Sequence, residues 1–151
     1  MSVPRLAERC RALLGAHTSV LVGGRDGARW RSALEAQGIP TVALDAPAAP
    51  ATAGVLSFLG DAAPSAERQR CLATMRERLM AGGRLVLVDH NQPRTWGRRV
   101  VGILALAALG FGPARARRLA ARELAAAGFG IESLHLVAGE RVQLIVGVRS
   151  D

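Results

Sequence analysis

Hydrophobic positions along the chain alternate between a helical spacing and short apolar runs. The first helical segment has apolar residues at the i, i+4, i+7 and i+8 positions, which are Leu6, Cys10, Leu13 and Leu14. Short apolar or alternating runs bounded by glycine, proline or polar residues are typical of strands. Six such runs occur, at residues 19–22, 41–45, 54–59, 84–89, 131–137 and 142–148.

Helical patterns fill most of the intervals between these runs. They predict helices at residues 27–37, from Ser65 to a stop at Gly82-Gly83, at 94–111 and at 113–127. Strands that alternate with helices predict a doubly wound, mostly parallel α/β sheet, and the last two strands predict an antiparallel pair. The sequence shows no internal repeat, so we expect one domain that comprises residues 1–151.

Glycine and polar residues after the strands mark the expected ligand site. In an open α/β sheet, ligands bind beyond the carboxyl ends of the strands. Gly23, Gly24 and Gly27 lie between the first strand and the next helix, where free backbone N–H groups suit an anion. Asp26 in the same loop is expected to cap that helix with its side chain. Three further stretches reach the same edge of the sheet, at residues 45–46, 57–61 and 89–94.

Candidate side chains also follow the second, third and fourth strands. Asp45 lies 21 residues after Gly24, where a carboxylate can accept hydrogen bonds from ribose hydroxyls. His90 follows the clearest strand, and a side chain with a pKa near neutrality suits a general base. Its alternative role is that of a surface turn residue. Ser57 ends the third strand but lacks the glycine-flanked elbow of an esterase.

Two segments in the second half of the chain resemble a known enzyme family. Ala81-Gly82-Gly83-Arg84 is similar to the Gly-Gly turn before the fifth strand of class I S-adenosylmethionine-dependent methyltransferases. Residues 122–129, followed by a strand pair, are similar to the helix end and closing strands of that family. The resemblance runs from about residue 19 to 148. It implies a Rossmann-like fold, S-adenosylmethionine as cofactor and methyl transfer to a small-molecule acceptor.

The resemblance also assigns roles to the candidate residues. It implies that His90 is catalytic and faces the substrate. It implies that the cofactor is bound by Gly23, Gly24, Asp26, Gly27, Asp45 and Ser57.

The cofactor motif of the first half departs from the family pattern. That pattern is close to Asp/Glu-x-Gly-x-Gly-x-Gly. In this chain Val22 stands at the acidic position, Gly24 at the first glycine, Asp26 at the second and Ala28 at the third. A side chain at the second glycine position obstructs the methionine part of the cofactor unless the loop takes another path.

A deletion is the second departure. Only eight residues lie between Asp45 and Gly54, where the family has a helix, a third strand and another helix. A crossover needs at least about 10–12 residues, so the unit does not fit. Eight extended residues reach about 27 Å, and a direct return to the next strand needs roughly 20 Å. We therefore expect a sheet without this unit and a cofactor site that is open or completed by a partner.

The charge of the chain is strongly basic, at +8, and all 20 basic residues are arginines. Between residues 94 and 122 there are seven arginines and no acid: Arg94, Arg98, Arg99, Arg115, Arg117, Arg118 and Arg122. This patch suits an acidic ligand, RNA or an acidic partner. Because aromatic residues make up only 3% of the chain, nucleic acid is the weaker interpretation.

The remaining metal-ligating residue types are interpreted as structural. Cys10 and Cys71 lie far apart without a C-x-x-C spacing, so we expect two helical thiols and no metal site. His17 and His135 are expected to be structural as well.

The apolar segments of the chain predict where the protein is located and whether it assembles with a partner. No export signal is visible near residue 1, and the apolar run 100–111 is far shorter than the ~20 residues that span a bilayer. We therefore expect a cytoplasmic protein without a membrane segment. A helix at 94–111 that is apolar all round, and an unprotected edge at 41–45, predict a homodimer or a complex with another protein.

Two functions of different classes remain open. The first is an S-adenosylmethionine-dependent methyltransferase of a small molecule. The second is a non-catalytic subunit or scaffold of the same fold that has lost cofactor binding. A dinucleotide-dependent oxidoreductase is less consistent with the sequence, because Gly23-Gly24-Arg25-Asp26-Gly27 lacks the G-x-G-x-x-G spacing.

Overall fold

The computed structural model of the chain describes residues 2–15, 19–59, 65–91 and 120–151. The helices in these ranges are α1 (Val3–Leu14), α2 (Gly27–Glu35), α3 (Ser65–Arg78) and α4 (Ala120–Ala126). The strands are β1 (Val20–Gly24), β2 (Thr41–Ala43), β3 (Ala51–Ser57), β4 (Leu79–His90), β5 (Phe129–Val137) and β6 (Val142–Arg149). None of these helices is long and apolar enough to span a bilayer.

The described strands form one six-stranded sheet in the order β2-β1-β3-β4-β6-β5. The first four strands in this order are parallel, and β6 is antiparallel to both β4 and β5. The predicted α/β class and the closing antiparallel pair are confirmed. Because the carboxyl ends of the four parallel strands meet at one edge, the candidate residues that follow them lie along that edge.

Helices cover both faces of the sheet, as the apolar strands predict. α1 and α2 pack on one face, where Trp30 is 1% exposed, and α3 and α4 pack on the other, where Met75 is 0% exposed. Successive residues of β4 alternate between these cores, with Val86 in the first and Leu87 in the second. The run 85–88 of β4 is buried on both faces and contains no polar residue, and the polar residues Asp89 and His90 follow where it ends.

The predicted deletion is confirmed. After β2 the chain turns and runs through residues 47–50 into β3, with no helix or strand between them. β3 pairs with β1, so β2 is an edge strand of three residues. An Ala/Pro-rich segment favours this extended path. The result is a sheet that ends at the β2 side in a strand of three residues.

The end of α3 and the beginning of β4 differ from the sequence prediction. We expected Gly82-Gly83 to stop α3, but the helix ends at Arg78 and both glycines lie within β4. The reason is a register shift, because Ala51 pairs with Leu79 whereas Ala53 pairs with Arg84. The extra residues of β4 form a bulge, which Gly82 accommodates at φ +72°.

The second edge of the sheet is β5, and it exposes apolar side chains that the sequence analysis did not single out. Ile131, Leu134 and Leu136 are 36–47% exposed. Their cross-strand partners are Gly147, Ile145 and Gln143, which alternate along β6, so the three side chains share one face of the sheet. Among the described strands, β2 and β5 are therefore the two edges of the sheet, and the sequence prediction concerned only the first.

Several predictions concern residues outside the described ranges. These are the helix at 94–111, the beginning of the helix at 113–127, His17, Asp61 and the arginines of the basic patch other than Arg122.

Candidate functional site

A cleft opens beyond the carboxyl ends of β1 and β2. Its volume of about 560 Å³ lies within the range of small-molecule sites. Its walls are formed by the end of β1 with the beginning of α2, by the end of β2 with the turn after it, and by one side of α3. The lining residues are Val22, Gly23, Gly24, Gly27, Ala28, Arg31, Ala43, Leu44, Asp45, Glu67, Arg70, Cys71 and Thr74. The sequence-predicted residues Gly23, Gly24, Gly27 and Asp45 thus meet in one cleft.

Two glycines of the loop have different physical roles. Gly24 has φ +83°, and a Cβ built on it would lie 2.1 Å from the carbonyl oxygen of Ser57. The neighbouring Arg25 N–H donates a 2.8 Å hydrogen bond to the same oxygen, so the loop is anchored on β3. A Cβ built on Gly27 would meet nothing within 4 Å. Gly24 is therefore required by the fold, whereas Gly27 keeps space open in the cleft.

Asp45 lies in a tight turn after β2, where its side chain is exposed in the cleft wall. The Leu44 N–H donates to the Val22 carbonyl at 2.9 Å, which continues the pairing of β2 with β1 up to this turn. An exposed carboxylate at this place is free to turn toward hydroxyl donors of a bound molecule.

Arg78 holds the turn from the opposite side. Its guanidinium, at the end of α3, donates to the carbonyls of Ala43 and Leu44 and, at 3.5 Å, to the carbonyl of Ala48. One side chain thus ties the edge strand and the segment that follows it to α3. This contact supports the turn that carries Asp45, at the place where the deleted unit would lie.

Asp26 and Ser57 do not line the cleft. Asp26 is the N-cap residue of α2, as predicted, but its side chain makes no capping hydrogen bond. An N-cap residue normally has an extended backbone, whereas Asp26 is left-handed at φ 56°. Ser57 is 0% exposed, and its hydroxyl lies 3.4 Å from the Leu59 N–H. Ser57 contacts the loop before α2 through its backbone carbonyl, which accepts from the Arg25 N–H, and not through its hydroxyl.

A buried ion cluster lies at the carboxyl end of β4. Arg68 on α3 is 3% exposed, donates to Asp89 at 2.5 Å and to Glu123 of α4 at 2.8 Å, and stacks 4.1 Å from the centre of the Phe58 ring. Burial works against the charge of Arg68, but its hydrogen bonds to the two carboxylates outweigh this and raise its pKa. No sequence pattern predicts this group of Arg68, Asp89, Glu123 and Phe58, which is called the ion cluster below.

His90 adjoins the ion cluster. Its backbone N–H donates to a carboxylate oxygen of Asp89 at 2.8 Å, and its carbonyl accepts from Gln143 at 2.9 Å. Burial lowers the pKa of the half-buried His90 imidazole; the nearby Asp89 raises it and Arg68 lowers it further, with a net lowering. The imidazole is therefore neutral at pH 7 and able to accept a proton.

The strand register gives the separation of His90 from the cleft. Gly24 pairs with Ser57, and Ser57 pairs with Val88, so His90 lies two strands across and two residues further along. With usual strand spacings this places the two backbones roughly 12 Å apart. His90 does not line the cleft. A ligand in the cleft and a second molecule beside His90 would therefore have to meet in the space between the cleft and the end of β4.

Four lining residues of α3 were not predicted from the sequence: Glu67, Arg70, Cys71 and Thr74. Their i, i+3, i+4 and i+7 spacing places them on one helical face, but a polar face normally indicates only exposure to solvent. Cys10, by contrast, is fully buried, and burial raises its pKa to about 12. No group of His, Cys, Asp or Glu side chains suited to a metal ion occurs in the described ranges.

No protein-family model and no curated protein matches the sequence. Solved structures match it over nearly the whole chain. TnmH does so with a TM-score of 0.70 and 13% identity, over 98% of this chain and 57% of TnmH. N,N-8-amino-8-demethyl-D-riboflavin dimethyltransferase (RosA) from Streptomyces davawensis has a TM-score of 0.61 and 27% identity, over 96% of this chain and 46% of RosA.

A third match is magnesium protoporphyrin IX methyltransferase (ChlM) from Synechocystis, whose crystal structure contains S-adenosylhomocysteine. Its TM-score is 0.59 at 13% identity, over 98% of this chain and 82% of ChlM. The chain spans about half the length of TnmH and RosA. The strand order and these matches together show that the chain has a class I S-adenosylmethionine-dependent methyltransferase-like fold, shortened at the β2 edge.

Proposed function

We propose that the protein binds S-adenosylmethionine in the cleft and transfers its methyl group to a small-molecule acceptor. The observation that carries this proposal is the meeting of Gly24, Gly27 and Asp45 in one cleft beyond β1 and β2, within a methyltransferase-like fold. Further support comes from ChlM, which binds S-adenosylhomocysteine on the same fold, and from RosA, a methyltransferase of a small molecule.

The residues of the cleft fit this cofactor. Gly27 provides a cradle that a Cβ would fill, and Asp45 offers an exposed carboxylate that accepts hydrogen bonds from two ribose hydroxyls. Arg31 offers a positive charge for a carboxylate at the methionine end. Val22, in place of the family's acid, offers only an apolar contact. The bound cofactor supplies an electrophilic methyl group on a sulfonium centre.

His90 is the proposed general base. Methyl transfer is an in-line displacement, for which the protein chiefly supplies proximity and orientation. As the acceptor atom forms its bond to the methyl carbon, the bond from that carbon to the sulfonium sulfur breaks, and the neutral imidazole of His90 accepts the proton that the acceptor atom loses. Asp89 fixes the backbone of His90 through its 2.8 Å hydrogen bond.

Calorimetry with S-adenosylmethionine and S-adenosylhomocysteine tests the proposal. We expect both to bind with micromolar dissociation constants. Gly27→Val should weaken both by about tenfold or more, which corresponds to ~1.4 kcal/mol, because the new side chain enters the cleft. The backbone of Gly27 lies outside the left-handed region, so valine is compatible with the fold there.

Gly130→Val is the matched control. Gly130 lies on β5, away from the cleft, and an added Cβ would meet only ordinary contacts at 3.8 Å. We expect this variant to bind as the wild type does. If neither compound binds to a folded wild-type sample, the enzyme function is wrong and the alternative, a non-catalytic subunit, is favoured. Val22, Asp26 and Ala28 at the cofactor-motif positions are the sequence feature that supports this alternative.

Assembly with a second copy is part of the proposal, with a different protein partner as the alternative. The apolar side chains of β5 support it, together with a backbone edge that no other described strand pairs with, because a strand that pairs antiparallel with its own copy forms a self-complementary two-fold interface. Sedimentation at micromolar concentration should show a dimer that Leu134→Glu dissociates. A monomer that this substitution leaves unchanged would contradict the interface.

A further inference from the structure

α3 carries two side-chain stripes with different surroundings. The first stripe packs into the core and consists of Arg68, Leu72, Met75 and Leu79, of which the last lies just beyond the helix. The second is displaced by one residue and consists of Glu67, Arg70, Cys71, Thr74 and Arg78. Four of these line the cleft, and Arg78 holds the turn after β2. The second stripe therefore faces the place of the deleted unit.

The side chains of the second stripe determine which kind of molecule can bind at the place of the deleted unit. A helix that packs against another protein element buries an apolar stripe. Here Cys71 is the only residue without a charge or hydroxyl group, beside Glu67, Arg70 and Thr74. Such a face is suited to water and to a polar ligand rather than to a covering helix. The deletion thus turns a helix-packing position into a wall of the cleft.

We infer that this α3 stripe binds the nucleoside end of the molecule in the cleft, with the base against Arg70, Cys71 and Thr74. The inference rests on the proposed function. It orients the ligand in the cleft: the ribose lies at Asp45, the base at α3, and the opposite end at Gly27 and Arg31 on the α2 side.

The chemistry of the stripe matches a purine that carries an amino group. The planar guanidinium of Arg70 stacks on an aromatic base. The hydroxyl of Thr74 both donates and accepts a hydrogen bond, as the edge of such a base requires. The carboxylate of Glu67 accepts from an exocyclic amino group. All three groups line the same cleft as Asp45.

Thiol modification provides a direct test, because Cys10 and Cys71 are the two cysteines of the chain. Cys10 is fully buried, so N-ethylmaleimide reports on Cys71, and modification of Cys10 signals unfolding. At ten times the dissociation constant, adenosine or S-adenosylhomocysteine should slow the modification of Cys71 about tenfold, since the reaction then proceeds through the free molecules. Methionine at the same concentration should have no effect.

Two substitutions on α3 locate the base more closely. Thr74→Val and Arg70→Ala should each weaken adenosine and S-adenosylhomocysteine by a similar factor, about three- to tenfold, because both molecules lose the same contact. Gln69→Ala is the matched control, since Gln69 lies exposed on the same helix but outside the cleft. It should leave both affinities unchanged.

The outcomes separate this inference from the proposed function. If S-adenosylhomocysteine binds by calorimetry but neither protects Cys71 nor responds to the α3 substitutions, the inference is wrong and the proposed function stands. If neither S-adenosylhomocysteine nor adenosine binds to the folded protein, both are wrong. Protection by adenosine, together with equal loss of both affinities in the α3 variants, supports the inference.

Discussion

Charged side chains lie at two places along the carboxyl edge of the sheet, and the protein holds them differently. At the end of β4, Arg68 is 3% exposed and contacts two carboxylates and an aromatic ring. At the end of β2, Asp45 is exposed in the turn that follows a three-residue edge strand, and Arg78 supports this turn through backbone carbonyls. The first arrangement is fixed by burial, and the second borders an open cleft.

The contrast shows that this shortened fold has one rigid region and one adjustable region in its candidate site. A buried cluster of charges keeps one geometry, because any displacement leaves a charge without a partner in a medium of low dielectric constant. The β4 end therefore suits the proposed base, whose position must be exact to a fraction of an ångström. An exposed carboxylate adjusts to its ligand at little cost, which suits the binding of a ribose.

The largest effect is expected from breaking the ion cluster. Arg68→Met keeps much of the side-chain volume but leaves Asp89 and Glu123 without their cation, which should lower the free energy of unfolding by about 3–5 kcal/mol. Urea denaturation followed by circular dichroism measures this change as a shift of the midpoint at constant slope.

Arg84→Met is the matched control for this substitution. Arg84 forms an ion pair of similar length with Glu132, at 2.7 Å, but both side chains are about 40% exposed. Its loss should cost about 1 kcal/mol or less. Equal destabilisation by the two substitutions would contradict the view that the β4 end is the fixed part of the site.

The fold was predictable from the sequence to the extent that it depends on local patterns. The alternation of helical and strand patterns predicted six strands with a closing antiparallel pair, and chain length alone showed that no unit fits between Asp45 and Gly54. The end of α3 was predicted wrongly, because Gly82 is typical of a helix stop and of a bulge alike, and pairing with β3 decides between them.

The site was only partly predictable. Asp45 and the glycines follow strands, so topology alone places them at one edge. The two carboxylates of the ion cluster are 21 and 55 residues from Arg68 along the chain and lie on two other elements, and no spacing rule pairs them with Arg68. An arginine in a polar helix such as α3 is usually exposed, and only the packing of α3 against β4 and α4 buries this one.

Removal of the proposed base should have the next largest effect. His90→Ala should lower kcat about 10²-fold, on any acceptor that the wild type methylates, while the affinity for S-adenosylhomocysteine stays the same. Because a base acts in its deprotonated form and burial lowers the pKa of His90, activity should decline only at a pH below the ordinary histidine value of about 6.5. Steady-state kinetics across pH measure both effects.

His135→Ala is the control for this prediction. His135 lies exposed on β5, 3.0 Å from the Ser133 hydroxyl, and should not affect the rate. A wild-type rate in the His90 variant would make His90 a structural residue and leave the ion cluster without a role in the reaction.

At the open end, Asp45→Ala should weaken the binding of S-adenosylhomocysteine by about 1–3 kcal/mol, because the ribose hydroxyls lose their acceptor. Asp45→Asn retains one oxygen acceptor and should lie between the alanine variant and the wild type. Calorimetry measures both affinities. An alanine variant that is folded and binds as the wild type does would remove Asp45 from the site.

The smallest effect is expected at the support of that turn. Arg78→Met removes the donors to the carbonyls of Ala43 and Leu44 but creates no buried charge, so it should cost only about 1 kcal/mol of global stability. Local opening should change more. The Leu44 amide, which donates to Val22 at the edge, should exchange with deuterium faster, whereas the Phe58 amide, which donates to Val88 between central strands, should not.

Arg78→Lys is the conservative variant, because it keeps the charge but not the planar fork of the guanidinium. In this variant the Leu44 amide should exchange at an intermediate rate. Equal acceleration at both amides would mean that Arg78 supports the whole sheet, and the distinction between a fixed end and an open end would then fail.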